Sequence, residues 1–199
     1  MKRILAVFIF LLLSFCIQAQ IPGFNIGPKI GYNTRKFTTD LATIQSDPEG
    51  AFQFGAFMRI GKKIYVQPEA SYIVKGGKIS MDGGAPIKIK LNSITVPVLV
   101  GFRLINAGVF NARVMAGPAF SFITDKTVPM NEIPTSFPIK TEKDLKDSMW
   151  SFQMGGGVDV LNFTLDVRYE IGVDNIYTGA DDFSIRNNLL NISLGLKLL

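Results

Sequence analysis

The sequence has no histidine and a single cysteine among its 199 residues. This excludes a Ser-His-Asp triad, a Cys-His pair and the zinc sites that these side chains build. Carboxylates remain as possible acid–base groups, and Asp166 and Glu170 are four residues apart on one face of a predicted strand. Arg168 and Arg113 make an ion-pair network the better interpretation of these carboxylates. We therefore expect no catalytic residue, no metal site and no cofactor, and a protein that is not an enzyme.

Long apolar runs are scarce as well. The clearest one lies in the first 20 residues, MKRILAVFIFLLLSFCIQAQ. A basic start, a short apolar stretch and a small-residue site at Ala19 form the pattern of a secretory signal peptide. The stretch is shorter than the roughly 20 apolar residues that a spanning helix needs. We predict that residues 1–19 are a cleaved signal peptide and that residues 20–199 are the mature domain.

Cleavage at this site would remove Cys16, so the mature chain would have no disulfide. A lipid anchor on Cys16 is the weaker alternative, because the residue before such a cysteine is normally small and Phe15 is large. Cleavage would also remove Lys2 and Arg3, which lowers the formal charge from +5 to +3. The remaining basic residues are scattered along the chain, so we expect no nucleic-acid partner.

What the chain does contain is phenylalanine (16), glycine (19) and apolar residues at every second position. Such alternation predicts β-strands with one apolar and one polar face. Eight segments show it, and they begin at Phe24, Phe52, Ile64, Ile87, Phe110, Trp150, Phe163 and Leu190. The fourth segment changes parity along its length, and we expect a β-bulge near Asn92 and Ser93 to bring Leu91 onto the face of Ile94.

The connections between these segments alternate in length. Short ones fall at residues 61–63, 105–108 and 161–162, and long polar ones at residues 34–50, 75–86, 124–148 and 174–187. An even number of antiparallel strands with short turns at one end and long loops at the other is the layout of outer-membrane barrels. We predict an all-β fold, a closed antiparallel eight-stranded up-and-down transmembrane β-barrel with short periplasmic turns and long extracellular loops.

Charged residues at strand positions fall on the polar face. They are Lys29, Arg59, Glu69, Arg103, Arg113, Asp159, Asp166, Arg168, Glu170 and Lys197. Charges inside a barrel need partners, so we predict a structural charge network in the lumen. An eight-stranded barrel is just wide enough for its own side chains, which favours a filled lumen over an open pore.

Aromatic residues on the apolar face fall into two groups by height. The group near the long loops is Tyr32, Phe52, Phe54, Tyr72, Phe120, Phe122, Trp150 and Phe152. The group near the short turns is Phe24, Phe102, Phe110 and Phe163. Paired aromatic belts are expected where side chains meet the two headgroup layers of a bilayer.

Two weaker signals have structural interpretations. The glycines at 155–157 lack the lysine and helix of a phosphate loop, and we expect them to make room for arginine side chains of neighbouring strands. Asp174, Asp181 and Asp182 could offer oxygen ligands to Ca²⁺. Their spacing is not that of a defined calcium loop, which favours a solvated acidic loop.

Several stretches together resemble the outer-membrane β-barrel family of Bacteroidetes that is often called PorT-like. They are IGPKIGYN, YVQPEASYIVKGG, SITVPVLVGFRL, VMAGPAFSF and NISLGLKLL, and the resemblance covers residues 21–199. It implies the barrel fold, and it permits a role in protein secretion across the cell envelope, to which some members are linked. Many outer-membrane barrels end in an aromatic residue, whereas this sequence ends in Leu199.

We therefore expect a small outer-membrane protein with a structural or interaction role at the cell surface. Its partners would be outer-membrane lipid and, through the external loops, other envelope or secretion proteins. One alternative is a PorT-like component of a secretion apparatus or a small porin. Another is a soluble lipocalin-like carrier of an apolar ligand, which would have the same number of strands with the apolar face inside.

Overall fold

The computed structural model describes residues 23–39, 44–47, 49–81, 87–127, 146–174 and 185–198. The predicted signal peptide and its cleavage site lie outside these ranges. Within them, no helix has the length and apolar character that crossing a membrane would require.

The described chain is organised as nine β-strands. They are β1 (Phe24–Thr39), β2 (Ile44–Asp47), β3 (Glu49–Gly61), β4 (Ile64–Met81), β5 (Ile87–Ala107), β6 (Phe110–Thr127), β7 (Ser148–Val160), β8 (Phe163–Gly172) and β9 (Ile185–Leu196). The turns between β3 and β4, β5 and β6, and β7 and β8 are short, as predicted, and all three lie at the same end of the sheet.

Eight of these strands form a closed ring in which every neighbouring pair is antiparallel. The ring closes because β1 pairs with β3 on one side and with β9 on the other, where Lys29 lies opposite Gly195 and Thr39 opposite Ile185. The short β2 lies outside the ring order and pairs with the far end of β4. Closure leaves no strand edge facing lipid, where unpaired backbone groups would be costly. The predicted eight-stranded barrel is confirmed.

The two faces of the sheet are sorted as the alternation predicts. Along β8, buried and exposed residues alternate from Phe163 to Gly172. The buried set includes Asp166 and Arg168, whereas Val167 and the other exposed positions are apolar. Polar side chains therefore line the inside and apolar side chains cover the outside. This is the reverse of the arrangement that a lipocalin-like carrier of an apolar ligand would need.

Several strands are longer than predicted. β4 continues to Met81 and β6 to Thr127, through stretches expected to be loops. Only about 9–11 residues are needed to cross the hydrocarbon layer, so these strands continue beyond it, since pairing with a neighbour still satisfies their backbone groups. β8 has 10 residues and is the shortest strand of the ring.

A register shift lies at Asn92 and Ser93, as predicted, but the extra residue is on the neighbouring strand. Asn92 and Ser93 lie opposite Asp125 and Ile123, so the unmatched residue is Thr124 on β6. Between Leu91 and Phe102, β5 keeps its alternation, and Leu91 lies inside the barrel, fully buried. An apolar side chain is tolerated there because this end of the lumen is lined by other apolar groups.

Candidate functional site in the barrel lumen

The strand alternation turns all ten of the predicted charged residues inward. Eight are buried, namely Lys29, Arg59, Glu69, Arg113, Asp159, Asp166, Arg168 and Glu170. Arg103 and Lys197 are partly exposed at the short-turn end. Neither of these two forms an ion pair with a carboxylate of the described residues.

Glu69 on β4 is the central group of the lumen. Lys29 Nζ donates to both of its carboxylate oxygens, at 2.9 and 2.8 Å, and Arg168 Nη1 donates to Oε2 at 3.0 Å. Gln67 Nε2 donates to Oε1 at 2.6 Å. Lys29 also lies 3.6 Å from Asp166. One buried carboxylate thus joins β1, β4 and β8 across the barrel through charge-assisted hydrogen bonds, which are the stronger kind.

A second cluster lies closer to the short turns. Arg113 on β6 contacts Asp166 and Thr164 on β8, and its Nη2 lies 3.4 Å from Asp159. Arg59 Nη1 donates to Asp159 Oδ2 at 2.9 Å. Both carboxylates are therefore shared between two cations. This arrangement is the one that buried charges require, since an uncompensated charge inside a barrel is strongly destabilising.

A third pair, Lys75 with Glu170, lies closer to the loops. Gln153 Nε2 donates to Glu170 Oε2 at 2.8 Å, and Gln153 Oε1 accepts from Arg168 at 3.1 Å. Lys75 was expected in a loop and was absent from the predicted set. Its position, six residues after Glu69 and hence on the same face of an extended β4, is the signal that could have identified it.

Apolar side chains lie at the level of the third pair, where Leu91 is opposite Lys75 and Leu189 is opposite Glu170 in the strand pairing. This apolar layer consists of Ile73, Leu91, Met149 and Leu189, all of which are buried. A cavity lined by Ile73 and by charged groups that include Glu69 and Arg168 offers about 10 Å³ to the centre of a water molecule, enough for about one water. Sequence reasoning missed the layer because inward apolar residues break the polar–apolar alternation.

The glycines of β7 make room for charged side chains, as predicted. Gly157 lies between Arg113 on β6 and Asp166 on β8 in the strand register. A Cβ at this position would overlap Asp166 Oδ1 and Arg113 Nη1. Arg113 therefore reaches its partner by passing over a residue without a side chain.

Substituting alanine for Gly157 should destabilise the barrel by about 1–3 kcal/mol, the usual cost of inserting atoms into a filled interior. Gly156 is the matched control, because its added Cβ would meet only the Arg113 carbonyl oxygen at 3.4 Å. Gly156→Ala should change the free energy of unfolding by less than about 0.5 kcal/mol. Urea unfolding of both variants measures the difference, and equal effects would contradict the assigned role of Gly157.

The aromatic residues lie on the outer surface in neighbouring positions. Near the loops, the ring centroids of Tyr32 and Phe52 are 5.4 Å apart, and those of Phe54 and Tyr72 are 5.3 Å apart. Phe120 contacts Trp150, with Phe122 and Phe152 on the same two hairpin strands. Near the short turns, the remaining four belong to residue pairs at the strand ends, namely Phe24 with Ile60, Phe102 with Ile64, Phe110 with Val160 and Phe163 with Val160.

The suggested calcium ligands fall mostly outside the described residues, which include Asp174 but neither Asp181 nor Asp182. Asp174 Oδ2 accepts a hydrogen bond from the Trp150 backbone at 3.0 Å, and Oδ1 lies 3.6 Å from Lys146. Across the described part of the chain, no group of three or more metal-ligating side chains comes together. Asp174 thus has a structural role at the rim.

The chain is similar to several solved structures. OprG of Pseudomonas aeruginosa has a TM-score of 0.55 at 11% identity, covering 88% of this chain and 95% of that one. Neisserial surface protein A has a TM-score of 0.48 at 11% identity (87% and 97% covered), and Ail of Yersinia pestis 0.43 at 14% (88% and 99%). The likeness to OprG establishes a shared fold and nothing about role.

No curated protein matches the sequence. The family model described as "outer membrane protein beta-barrel domain" does match, over residues 18–178. This match spans most of the barrel, from before β1 into the connection that follows β8. The chain belongs to the outer membrane protein beta-barrel domain family.

Proposed function

We propose that this outer-membrane barrel acts as a structural or interaction protein at the cell surface, and that it is neither a diffusion pore nor an enzyme. The observation that carries the proposal is the filled lumen. Ion pairs cross it at three levels, and the buried apolar layer of Ile73, Leu91, Met149 and Leu189 lies at the level of the third, Lys75 with Glu170. A solute of ordinary size would have to break several buried ion pairs to pass.

The loop end supports a role in contacts outside the membrane. β1, β4, β5 and β6 have 16 to 21 residues, well beyond the 9–11 that the bilayer requires. The excess length raises a wall of paired strands above the aromatic residues near the loops. Partner surfaces in proteins are usually carried by loops on a rigid scaffold, and the parts of the loops at 40–43, 82–86, 128–145 and 175–184 lie outside the described residues.

Two cysteine variants test which end of the barrel faces the outside. Thr127→Cys places a thiol at the exposed loop end of β6, and Lys62→Cys places one in the exposed turn between β3 and β4. If the signal peptide is cleaved, neither has a competing native thiol. A membrane-impermeant maleimide on intact cells should label Thr127→Cys and leave Lys62→Cys unlabelled until the envelope is opened. Labelling of Lys62→Cys alone would reverse the proposed orientation.

Conductance measurements on purified protein test the closed lumen. Purified barrel, with its folded state checked by a heat-dependent shift in gel mobility, should give no stable single-channel steps in planar bilayers, whereas a general porin in the same bilayers should. Regular conductance steps would favour the porin alternative and contradict the filled lumen.

The quoted stretches of sequence support a narrower proposal, that the chain is PorT-like and comes from the Bacteroidetes lineage, with residues 1–19 removed on export. Membership in such a group would make envelope or secretion proteins the first partners to test. Cross-linking from Thr127→Cys in cells is the direct measurement, with Lys62→Cys as the control for the opposite end. Cross-links confined to Lys62→Cys would argue against a partner on the loop side.

A further inference from the structure

The short-turn end of the lumen carries more positive than negative charge. Four inward-facing cations lie there, Arg59, Arg103, Arg113 and Lys197, together with the ring of Tyr65; we call these five residues the basic mouth. Two carboxylates face them, Asp159 and Asp166. Four cations against two carboxylates leave two positive charges uncompensated within the described residues.

Both carboxylates already form ion pairs, and of their oxygens Asp159 Oδ1 makes no hydrogen bond with a described residue. Asp159 contacts both Arg59, at 2.9 Å, and Arg113, at 3.4 Å. Asp166 contacts Arg113 and lies 3.6 Å from Lys29. Lys197 lies close enough to interact electrostatically with Asp159 and with three arginines, yet it forms no direct ion pair with a described carboxylate.

Buried donors in the mouth also lack acceptors. Arg59 Nη2, Arg113 Nε and Nη1, Arg103 Nε and the Tyr65 hydroxyl have no hydrogen-bond partner among the described residues. Arg59, Arg113 and Tyr65 are at most 2% exposed. Buried polar groups of native proteins are nearly always satisfied, and an exception points to a water or an ion. Guanidinium groups hold their charge at any relevant pH, so these groups cannot become neutral instead.

The geometry gathers these donors around one ring. The guanidinium carbons of Arg59 and Arg103 lie 5.1 and 5.7 Å from the centre of the Tyr65 ring. The ring is seated over Gly101, where any Cβ would overlap it. Arg103 also lies directly opposite Arg113 in the pairing of β5 with β6. Like charges directly opposite each other destabilise a strand pair, unless an anion lies between them.

We propose that the basic mouth binds a small oxyanion, phosphate or a carboxylate, that enters from the short-turn side. The partly exposed Arg103 and Lys197 form the entrance, and the buried Arg59 and Arg113 lie behind them. The planar fork of an arginine matches the two oxygens of a carboxylate or a phosphate. The site is distinct from the loop end to which the surface role is assigned.

Thermal unfolding of the refolded barrel tests the proposal, in a detergent whose headgroup contains no phosphate. Inorganic phosphate is titrated at constant ionic strength, and sodium acetate in a parallel arm probes the carboxylate. A ligand that binds only the folded state raises its stability, and at tenfold above the dissociation constant the midpoint should rise by roughly 3–6 °C. No rise with either anion would overturn the proposal.

Arg103→Gln and Lys62→Gln form the matched pair of variants. Each removes one positive charge at the same end of the barrel, but Lys62 is exposed in the turn between β3 and β4, outside the strands that line the lumen. By titration calorimetry, Arg103→Gln should bind phosphate at least about tenfold more weakly, and Lys62→Gln should bind as the parent does. Equal weakening in both variants would show a general surface-charge effect and would overturn the proposal.

The stability of Arg103→Gln without added anion gives an independent readout. Relief of the repulsion between Arg103 and Arg113 should leave this variant as stable as the parent or more so. With phosphate present, the parent should become more stable than the variant, because phosphate stabilises only the parent. A variant less stable than the parent in the absence of anion would mean that Arg103 supports the fold directly, and would contradict an anion site built on it.

Discussion

Replacing Glu69 with glutamine should destabilise the folded barrel by about 3–5 kcal/mol, the usual effect of removing one partner from a buried ion pair. The substitution keeps the shape of the side chain and removes its charge. Lys29 and Arg168 are both buried, and they lie 2.8 and 3.0 Å from the Glu69 carboxylate. In the variant, a neutral amide replaces this counter-charge. The loss should appear as a lower midpoint in reversible urea unfolding, with the slope unchanged.

The control for Glu69 is Asp147→Asn, which makes the same change in net charge. Asp147 pairs with Lys126 at 2.7 Å, but its side chain is 93% exposed. Exposed pairs contribute between about 0 and 1 kcal/mol, so this variant should unfold almost as the parent does. Similar losses in the two variants would mean that net charge, rather than the lumenal network, determines stability.

Val167→Arg should cost about 2–4 kcal/mol, the range for a cation at the bilayer midplane on the outside of a barrel. Val167 faces outward on β8 with 46% exposure. It lies four residues from Phe163 near the short turns and four from Ile171, which is paired with Phe152 near the loops. The residue is thus midway between the two aromatic levels, where an arginine cannot reach water without distorting the bilayer.

The depth dependence is tested with Val173→Arg. Val173 is 59% exposed and follows the end of β8, where its backbone N–H donates to the Trp150 carbonyl at 3.1 Å. At this level an arginine should cost no more than about 1 kcal/mol. Unfolding is measured in lipid vesicles for both variants. A cost that does not depend on depth would contradict a membrane boundary between these two positions.

Much of the fold follows from local pattern. The side chains of a strand alternate between two faces, so parity places Asp166, Arg168 and Glu170 on one face and Val167 on the other without knowledge of any partner. Alternating loop lengths predict which end holds the short turns. These inferences need only neighbours in sequence, and the structure confirms the eight strands and their closure.

Element boundaries could not be predicted in the same way. The stretch at residues 75–86 was expected to be a loop, because it is rich in polar residues and glycine. In the structure β4 continues to Met81 because β5 is available to pair with it, as between Ile79 and Ile87. Strand pairing depends on the position of the partner strand, and the sequence of a single segment does not specify that position.

The charged residues of the lumen were identified by parity, but their partners were not. Glu69 meets Lys29 and Arg168, which are 40 and 99 residues away in sequence. Such contacts depend on the shear of the barrel, which sets the height at which each strand passes its neighbours. The inward positions of Lys75 and Leu91 depend on the same register, and pattern alone misplaced both.

The absence of histidine excluded the common catalytic and zinc sites, and the alternation of eight segments by itself determined strands with one apolar and one polar face. Only the structure decided that the polar face is the inner one, which the lipocalin-like alternative had left open. Period-two patterning is a local property of the chain and needs no partner. Only the tertiary structure decided that Glu69 forms ion pairs with two cations and that an apolar layer lies around the Lys75–Glu170 pair. It also decided that Arg59 and Arg103 lie beside the ring of Tyr65. Those features depend on the register between strands distant in sequence, which is set only when the sheet closes on itself.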